Sequence, residues 1–131
     1  KEIEGAIAEL AAQRIDTGCL EQLEQAIDKM VHENKIGADG DREFHLLVAK
    51  ASGNSVLETI TAFLWDQQQN SPMWTKLIER MKEKKLHTTI LDDHRCLLDS
   101  LRQKDSKEAK AIMRDHLNHA RDIYFDLMGE E

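Results

Sequence analysis

The chain has 131 residues, 40% of them hydrophobic and 33% charged, with a formal net charge of −7, which fits one globular domain around a single core. The acidic balance argues against a duplex-binding surface, because the nearest basic cluster is only Lys82, Lys84 and Lys85, interrupted by Glu83. No apolar run approaches the ~18 residues of a membrane span, no signal peptide is visible, and Cys19 and Cys96 lack CxxC spacing, so a reducing cytoplasm is the expected setting.

Lys1-Glu2-Ile3-Glu4 has no initiator Met and no capping residue, yet Ile3, Ile7, Leu10 and Ala11 already keep helical register. The chain is therefore expected to begin inside a helix and to belong to a longer protein. Helix one should run to about Ile15. Thr17 is the expected N-cap of helix two, whose buried stripe reads Leu20, Leu23, Ile27, Met30 and Val31, with Gly37 as C-cap. Asp39 is placed to cap helix three. Gly53 should stop helix three and Asn54 should start helix four, with Val56, Leu57, Ile60, Phe63 and Leu64 as its apolar residues. Asn70-Ser71-Pro72 puts proline at the first position of helix five, which carries Trp74, Leu77, Ile78 and Met81. Helix six should span about Leu86 to Arg102. Lys104-Asp105 forms a short turn, and Asp105 with Glu108 sets a capping box for helix seven, which runs to about Met128. No segment alternates with period two, so the fold expected is all-α, an antiparallel up-down bundle of six to seven helices.

Three of these helices carry polar residues where core residues belong. Asp41 and His45 lie one turn apart on a face shared with Phe44, Val48 and Ala51. His94 sits among Ile90, Leu91, Leu97, Leu98 and Leu101, and His116 among Ala109, Ile112, Met113, Ala120 and Tyr124. Buried polar groups without partners cost roughly 1–3 kcal/mol each. One divalent cation held by Asp41, His45, His94 and His116 would satisfy all four. Imidazole and carboxylate suit Zn, and also Ni, Mn or Fe. His32 and His87 read as non-ligands, and His119 is the nearest competitor. Either Asp92 or Asp93 could hold the free ring N–H of a ligand histidine. Trp65 and Trp74, flanking the break between helices four and five, are either core or the aromatic walls of a ligand pocket.

There is no HExxH, no ExxH pair, no phosphate loop and no GxSxG. A metal-dependent enzyme in a helical bundle, acting on a small acid, would have to use Asp92 or Asp93 as its base. A metal-free dimerisation module is the other alternative.

Glu4 with Ala11-Ala12, Asp41-x-x-Phe44-His45, Ser52-Gly53-Asn54, Asp93-His94 before Leu97-Leu98, Asp105 and His116-Leu117 together resemble the C-terminal effector-binding (FCD) domain of FadR-subfamily GntR transcription regulators. The resemblance covers nearly the whole chain. It implies a single effector-binding and dimerisation domain over residues 1–131, with one Asp and three His holding a metal, at Asp41, His45, His94 and His116. It also implies a homodimer and an N-terminal winged helix-turn-helix domain outside this chain, through which DNA is bound. Asn70-Ser71-Pro72-Met73-Trp74 is similar to a segment of the hexuronate-utilisation repressors in that subfamily. That likeness implies a small organic acid as effector, such as a uronate or aldonate, near Trp65, Gln68 and Trp74. Gln68 stands near the end of helix four, where those repressors tend to carry an Arg.

Overall fold

The computed structural model describes residues 2–33, 39–83 and 87–129. Among them run seven helices and no strand: α1 Glu2–Arg14, α2 Thr17–Glu33, α3 Asp39–Ala51, α4 Ser55–Gln69, α5 Pro72–Glu83, α6 His87–Arg102 and α7 Ser106–Gly129. The expected all-helical bundle is the one observed. None of these helices is long and apolar enough to cross a membrane.

The termini of the helices follow local chemistry. Asn54 Oδ1 accepts from the backbone N–H groups of Val56 and Leu57, at 3.0 and 3.2 Å, which caps α4 as expected. Gly53 sits at φ +73° and donates its N–H to Lys50 O. That left-handed conformation is inexpensive only for glycine. Lys104 takes the same role after α6 at φ 55°. Lys104 N–H reaches Leu101 O and Asp105 N–H reaches Ser100 O, the paired bonds of a Schellman motif. Its Nζ also donates to Ile15 O at 2.8 Å, tying the α6–α7 turn to the end of α1. Asp105 Oδ1 then caps α7 through Glu108 N–H.

Two caps differ from expectation. Asp16, not Thr17, caps α2: its Oδ1 accepts from Cys19 N–H at 2.7 Å, and Thr17 is already helical. Asp39 is the first residue of α3, and the N–H of Gly40 is taken by Glu33 Oε1 at 2.8 Å. Gly37 and Leu86 lie outside the described residues.

α1 packs chiefly on α7, α2 on α3 and α6, and α6 on α7. The turn between α1 and α2 is therefore a corner rather than a hairpin, and α1 closes the bundle against the last helix. Gly5, Ala8, Ala11 and Ala12 on the buried face of α1 permit that approach. A Cβ on Gly5 would stand 3.1 Å from Arg114 Cγ of α7. The core gathers Leu23, Ile27 and Met30 from α2, Phe44 and Val48 from α3, Leu97, Leu98 and Leu101 from α6, and Ala109 and Met113 from α7.

Two stripes were only partly right. Val31 of α2 is 42% exposed, and Ala26 takes the buried place beside Leu23 and Ile27. On α4, Val56 is 64% and Phe63 60% exposed, and Thr61 is the helix's one buried residue. α4 lies on the outside of the bundle, against α3 and the start of α5.

Candidate metal and ligand site

α3, α6 and α7 each deliver part of one polar cluster inside the bundle. Asp41 and His45 are one turn apart on α3, and both are buried, as is His94 on α6. Asp41 Oδ1 lies 2.9 Å from His94 Nε2 and 3.2 Å from His45 Nε2. The two Nε2 atoms are 3.3 Å apart. His116 joins from α7. Its ring stacks on that of His45 with centroids 6.0 Å apart and meets that of His94 edge-on at 5.0 Å. Phe44 covers the floor, edge-on to His94 at 4.8 Å. His45, His94 and His116 each offer one ring nitrogen within 4.8 Å of the others.

The hydrogen bonds on the far sides of the rings fix what faces inward. Ile90 O is 2.6 Å from His94 Nδ1. A carbonyl only accepts, so Nδ1 carries the proton, and a neutral His94 presents a lone pair on Nε2. Asp93 Oδ2 does the same to His116 Nδ1 at 2.9 Å. The inward side therefore gathers lone pairs from two imidazoles and from the Asp41 carboxylate. Those lone pairs repel unless a proton or a cation lies among them. Without a cation, Asp41 favours a proton on His94 over one on His45. Burial opposes the charging of His94, but the hydrogen bond and charge of Asp41 prevail and raise its pKa. Burial lowers the pKa of His45, and Asp41 only partly offsets that. Burial likewise works against the Asp41 carboxylate, yet its bonds to His45 and His94 hold its pKa well below the ordinary range.

The chemistry of this donor set suits a divalent ion, with Asp41, His45 and His94 close-set and the His116 nitrogen within 4.8 Å of those of the other two imidazoles. Zinc bonds to nitrogen of about 2.0–2.1 Å imply a tetrahedral edge of roughly 3.3 Å, and the contacts among Asp41, His45 and His94 are 2.9, 3.2 and 3.3 Å. Both Nδ1 partners are the outer acceptors that metal-ligand histidines commonly have. Asp93, not Asp92, is the carboxylate so placed. Asp92 lies on the surface near Arg95, at 3.6 Å.

A cavity of about 180 Å³ opens above the cluster. α1 contributes Glu4 and Ile7, α4 contributes Thr61, Trp65 and Gln68, α5 contributes Trp74, and α7 contributes Met113 and Leu117. The ring of Trp65 lies 5.4 Å from that of His45 and is T-shaped to Trp74 at 6.1 Å. All seven residues singled out from sequence thus meet here: the four donors, with Trp65, Gln68 and Trp74 in the wall. Glu4, Thr61 and Met113 were not foreseen as lining. Glu4 appeared only as part of a family pattern, and nothing in the periodicity of α1 points it at this cavity. Among the described residues, no Lys or Arg lines the cavity. His32 is exposed and bonds to Asp28 O, as expected of a non-ligand. The side chain of His119 lies outside the described residues. A larger open cleft of about 680 Å³ at the α1–α2 corner is lined by Arg14, Asp16, Glu21 and Lys50. It is remote from the histidines.

Fold and site together define a helical ligand-binding domain, with an enclosed polar centre beneath a small cavity. The FCD domain model matches residues 1–119, and the chain belongs to that family, whose members are regulatory domains rather than enzymes. The Uxu operon regulator of Haemophilus influenzae is 29% identical over 98% of this chain and 50% of its own length. The Exu regulon transcriptional regulator of Escherichia coli K12 is 32% identical over 98% of the chain and 50% of its own. The chain spans about half the length of the curated relatives it matches. Among solved structures, E. coli McbR/YncC superposes with a TM-score of 0.81 at 19% identity, over 97% of this chain and 61% of that one. That likeness concerns the fold.

Proposed function

We propose that this domain is the metal-containing sensor of a bacterial transcription regulator in the cytoplasm. Its signal is a small organic acid of the uronate or aldonate type. Asp41, His45, His94 and His116 would hold the divalent ion, with zinc the best fit and Ni, Mn or Fe as alternatives. With coordination positions beyond its four protein donors, that ion would supply the positive charge that anchors a carboxylate. The cavity lining supports this division of labour, because no cationic side chain among the described residues stands there to do it instead. Trp65 and Trp74 offer apolar faces to the carbon skeleton of a sugar acid, and Gln68 and Thr61 offer hydroxyl partners. The observation that carries the reading is the gathering of His45, His94 and His116, with ring nitrogens within 4.8 Å of one another, around the buried Asp41 carboxylate.

The regulator acts as a homodimer, with DNA bound by a winged helix-turn-helix domain in the remainder of a longer protein. The names of the Uxu and Exu relatives support both the regulatory role and the hexuronate class. The effector shifts the population of two arrangements of the helices around the cavity, and does so only through unequal affinity for them. The test is operator affinity of the full-length regulator with and without a panel of uronates and aldonates. A change of at least fivefold with one of them is expected, and indifference to all would remove the sugar-acid reading. Elemental analysis of the purified domain separates a metal site from a metal-free dimerisation module.

A further inference from the structure

The lining of the cavity contains a carboxylate that stands apart from the polar cluster. Among the described residues, Glu4 and Asp41 are the acidic groups of that lining, and no Lys or Arg accompanies them. Asp41 is engaged by His94 and His45, at 2.9 and 3.2 Å. Glu4 takes no part in those contacts. It comes from α1, which brings no donor to the cluster, and its Oε2 is buried. We infer that Glu4 selects among effectors: it accepts hydrogen bonds from the hydroxyl end of a monocarboxylic sugar acid and turns away the dicarboxylic acid of the same carbon skeleton. The inference rests on the sugar-acid reading of this cavity and is indifferent to which ion the histidines hold.

Donor and acceptor chemistry separates the two kinds of ligand. A hydroxyl can donate, whereas an ionised carboxylate only accepts. Glu4 offers two oxygens with about four acceptor sites, enough for neighbouring hydroxyls of one sugar. Thr61 of α4 adds to the acceptors, because its own hydroxyl hydrogen goes to Leu57 O at 2.8 Å. A second carboxylate on the ligand finds no matching donor in either residue. It also meets Glu4 as a like charge, with no Lys or Arg in the lining to offset it. Buried charges are screened far less than exposed ones, and like charges brought together in a binding site are a strong means of rejecting a ligand. The size of the cavity sharpens the effect. Its volume of about 180 Å³ lies below the roughly 300–1,000 Å³ of pockets for drug-sized ligands. A sugar acid anchored by its carboxylate over the histidines has little room to carry its far end away from Glu4.

The experiment is isothermal titration calorimetry of this chain with two pairs of acids, gluconate with glucarate and galacturonate with galactarate. In each pair the second acid has a carboxylate at the end where the first has none. Metal content and helical circular dichroism are measured on the same samples. The unmodified chain should bind the monocarboxylate of at least one pair at least tenfold more tightly than its dicarboxylic partner. Glu4→Gln keeps the shape of the side chain and removes its charge, and should cut that preference at least fivefold with metal content and helicity unchanged. Glu4→Asp keeps the charge and should keep the preference. Dicarboxylates bound as tightly as their partners, or a preference that Glu4→Gln leaves unmoved, would overturn Glu4 as the selector and leave the sugar-acid reading standing. Binding of none of the four acids to the unmodified chain would overturn that reading, and this inference with it.

Discussion

At the scale of single residues, the environment of a side chain matters more than its type. Asp93 and Asp92 are adjacent carboxylates on α6, and only Asp93 meets His116. Asp93→Asn keeps the size but weakens the acceptor that orients the ring, so metal affinity should fall 10–100-fold with helicity retained. A chelator-competition titration reads this directly, and unchanged affinity would make the contact incidental. His94→Ala removes a donor outright and leaves Asp41 buried with His45 alone. Bound metal and melting temperature should both drop, as elemental analysis and thermal melts would show. The two cysteines contrast in the same way. Cys19 is half-buried, with its Sγ 3.7 Å from Leu47 O. Burial, then the nearby charge of Asp16, raises its pKa above the ordinary 9.0, with Lys50 opposing. Cys96 is exposed. At pH 8, iodoacetamide should label Cys96 at least tenfold faster than Cys19. Because folding favours the protonated Cys19 thiol, its contribution to stability is complete below pH 9 and declines as pH rises through the raised value. Peptide mapping of labelled sites across pH 7–10 checks the order.

At the scale of elements, α3 owes its position to a close approach that only glycine allows. A Cβ on Gly40 would stand 2.8 Å from Met30 Cγ and 2.9 Å from Met30 N. Backbone cannot yield as a flexible side chain does. Gly40→Ala should therefore destabilise the domain by about 1–3 kcal/mol, measured as the shift in urea midpoint. A midpoint within error of the unmodified chain would show that α2 and α3 can part freely. The same element shows what a sequence can and cannot reveal. Asp41 and His45 stood out because a polar pair on an apolar stripe violates the helix pattern, and no packing detail is needed to see that. Asn54, Pro72 and Asp105 were legible for a similar reason, since their effect reaches only one turn. Gly40 was not, because the atoms it must avoid come from Met30, ten residues earlier. The exposure of α4 was also hidden. Val56, Ile60 and Phe63 look like any core stripe, and only the packing of α1 against α7, with Asp105 and Lys104 fixing the last turn, shows that the core is filled without them. Asp16 in place of Thr17 is a smaller miss of the same kind, because either residue can cap and one residue of register decides.

At the scale of the whole molecule, the polar centre joins helices that are far apart along the chain. Asp41 and His94 are 53 positions apart and in contact, and His116 brings in α7. α1 and α2 bring no donor to that centre and meet the core through apolar packing, with Ala8, Ala11 and Leu23 fully buried, and through polar ties at its margin such as Arg14 to Ser52 O and Gly40 N–H to Glu33. A metal bound by the native arrangement and not by the unfolded chain stabilises by RT ln(1 + [L]/Kd), about 2.7 kcal/mol at a hundredfold excess over Kd. For a domain of this size that corresponds to a melting shift of very roughly 10 °C. Stripping the metal with a chelator should lower the melting temperature of the unmodified chain by about this amount. The same treatment should leave His94→Ala nearly unmoved, because that variant has little metal to lose. Amide exchange adds the spatial part of the expectation. α6 and α7 should lose protection when the metal leaves, and the buried face of α2 should keep it, since Asp41, His45, His94 and His116 lie on α3, α6 and α7 and none on α2. Uniform loss across all the helices would mean that the domain unfolds as one unit and that the ion is not a local clamp. No loss anywhere, with metal removal verified by elemental analysis, would mean that a proton on His94 holds α3, α6 and α7 together as well as a cation does.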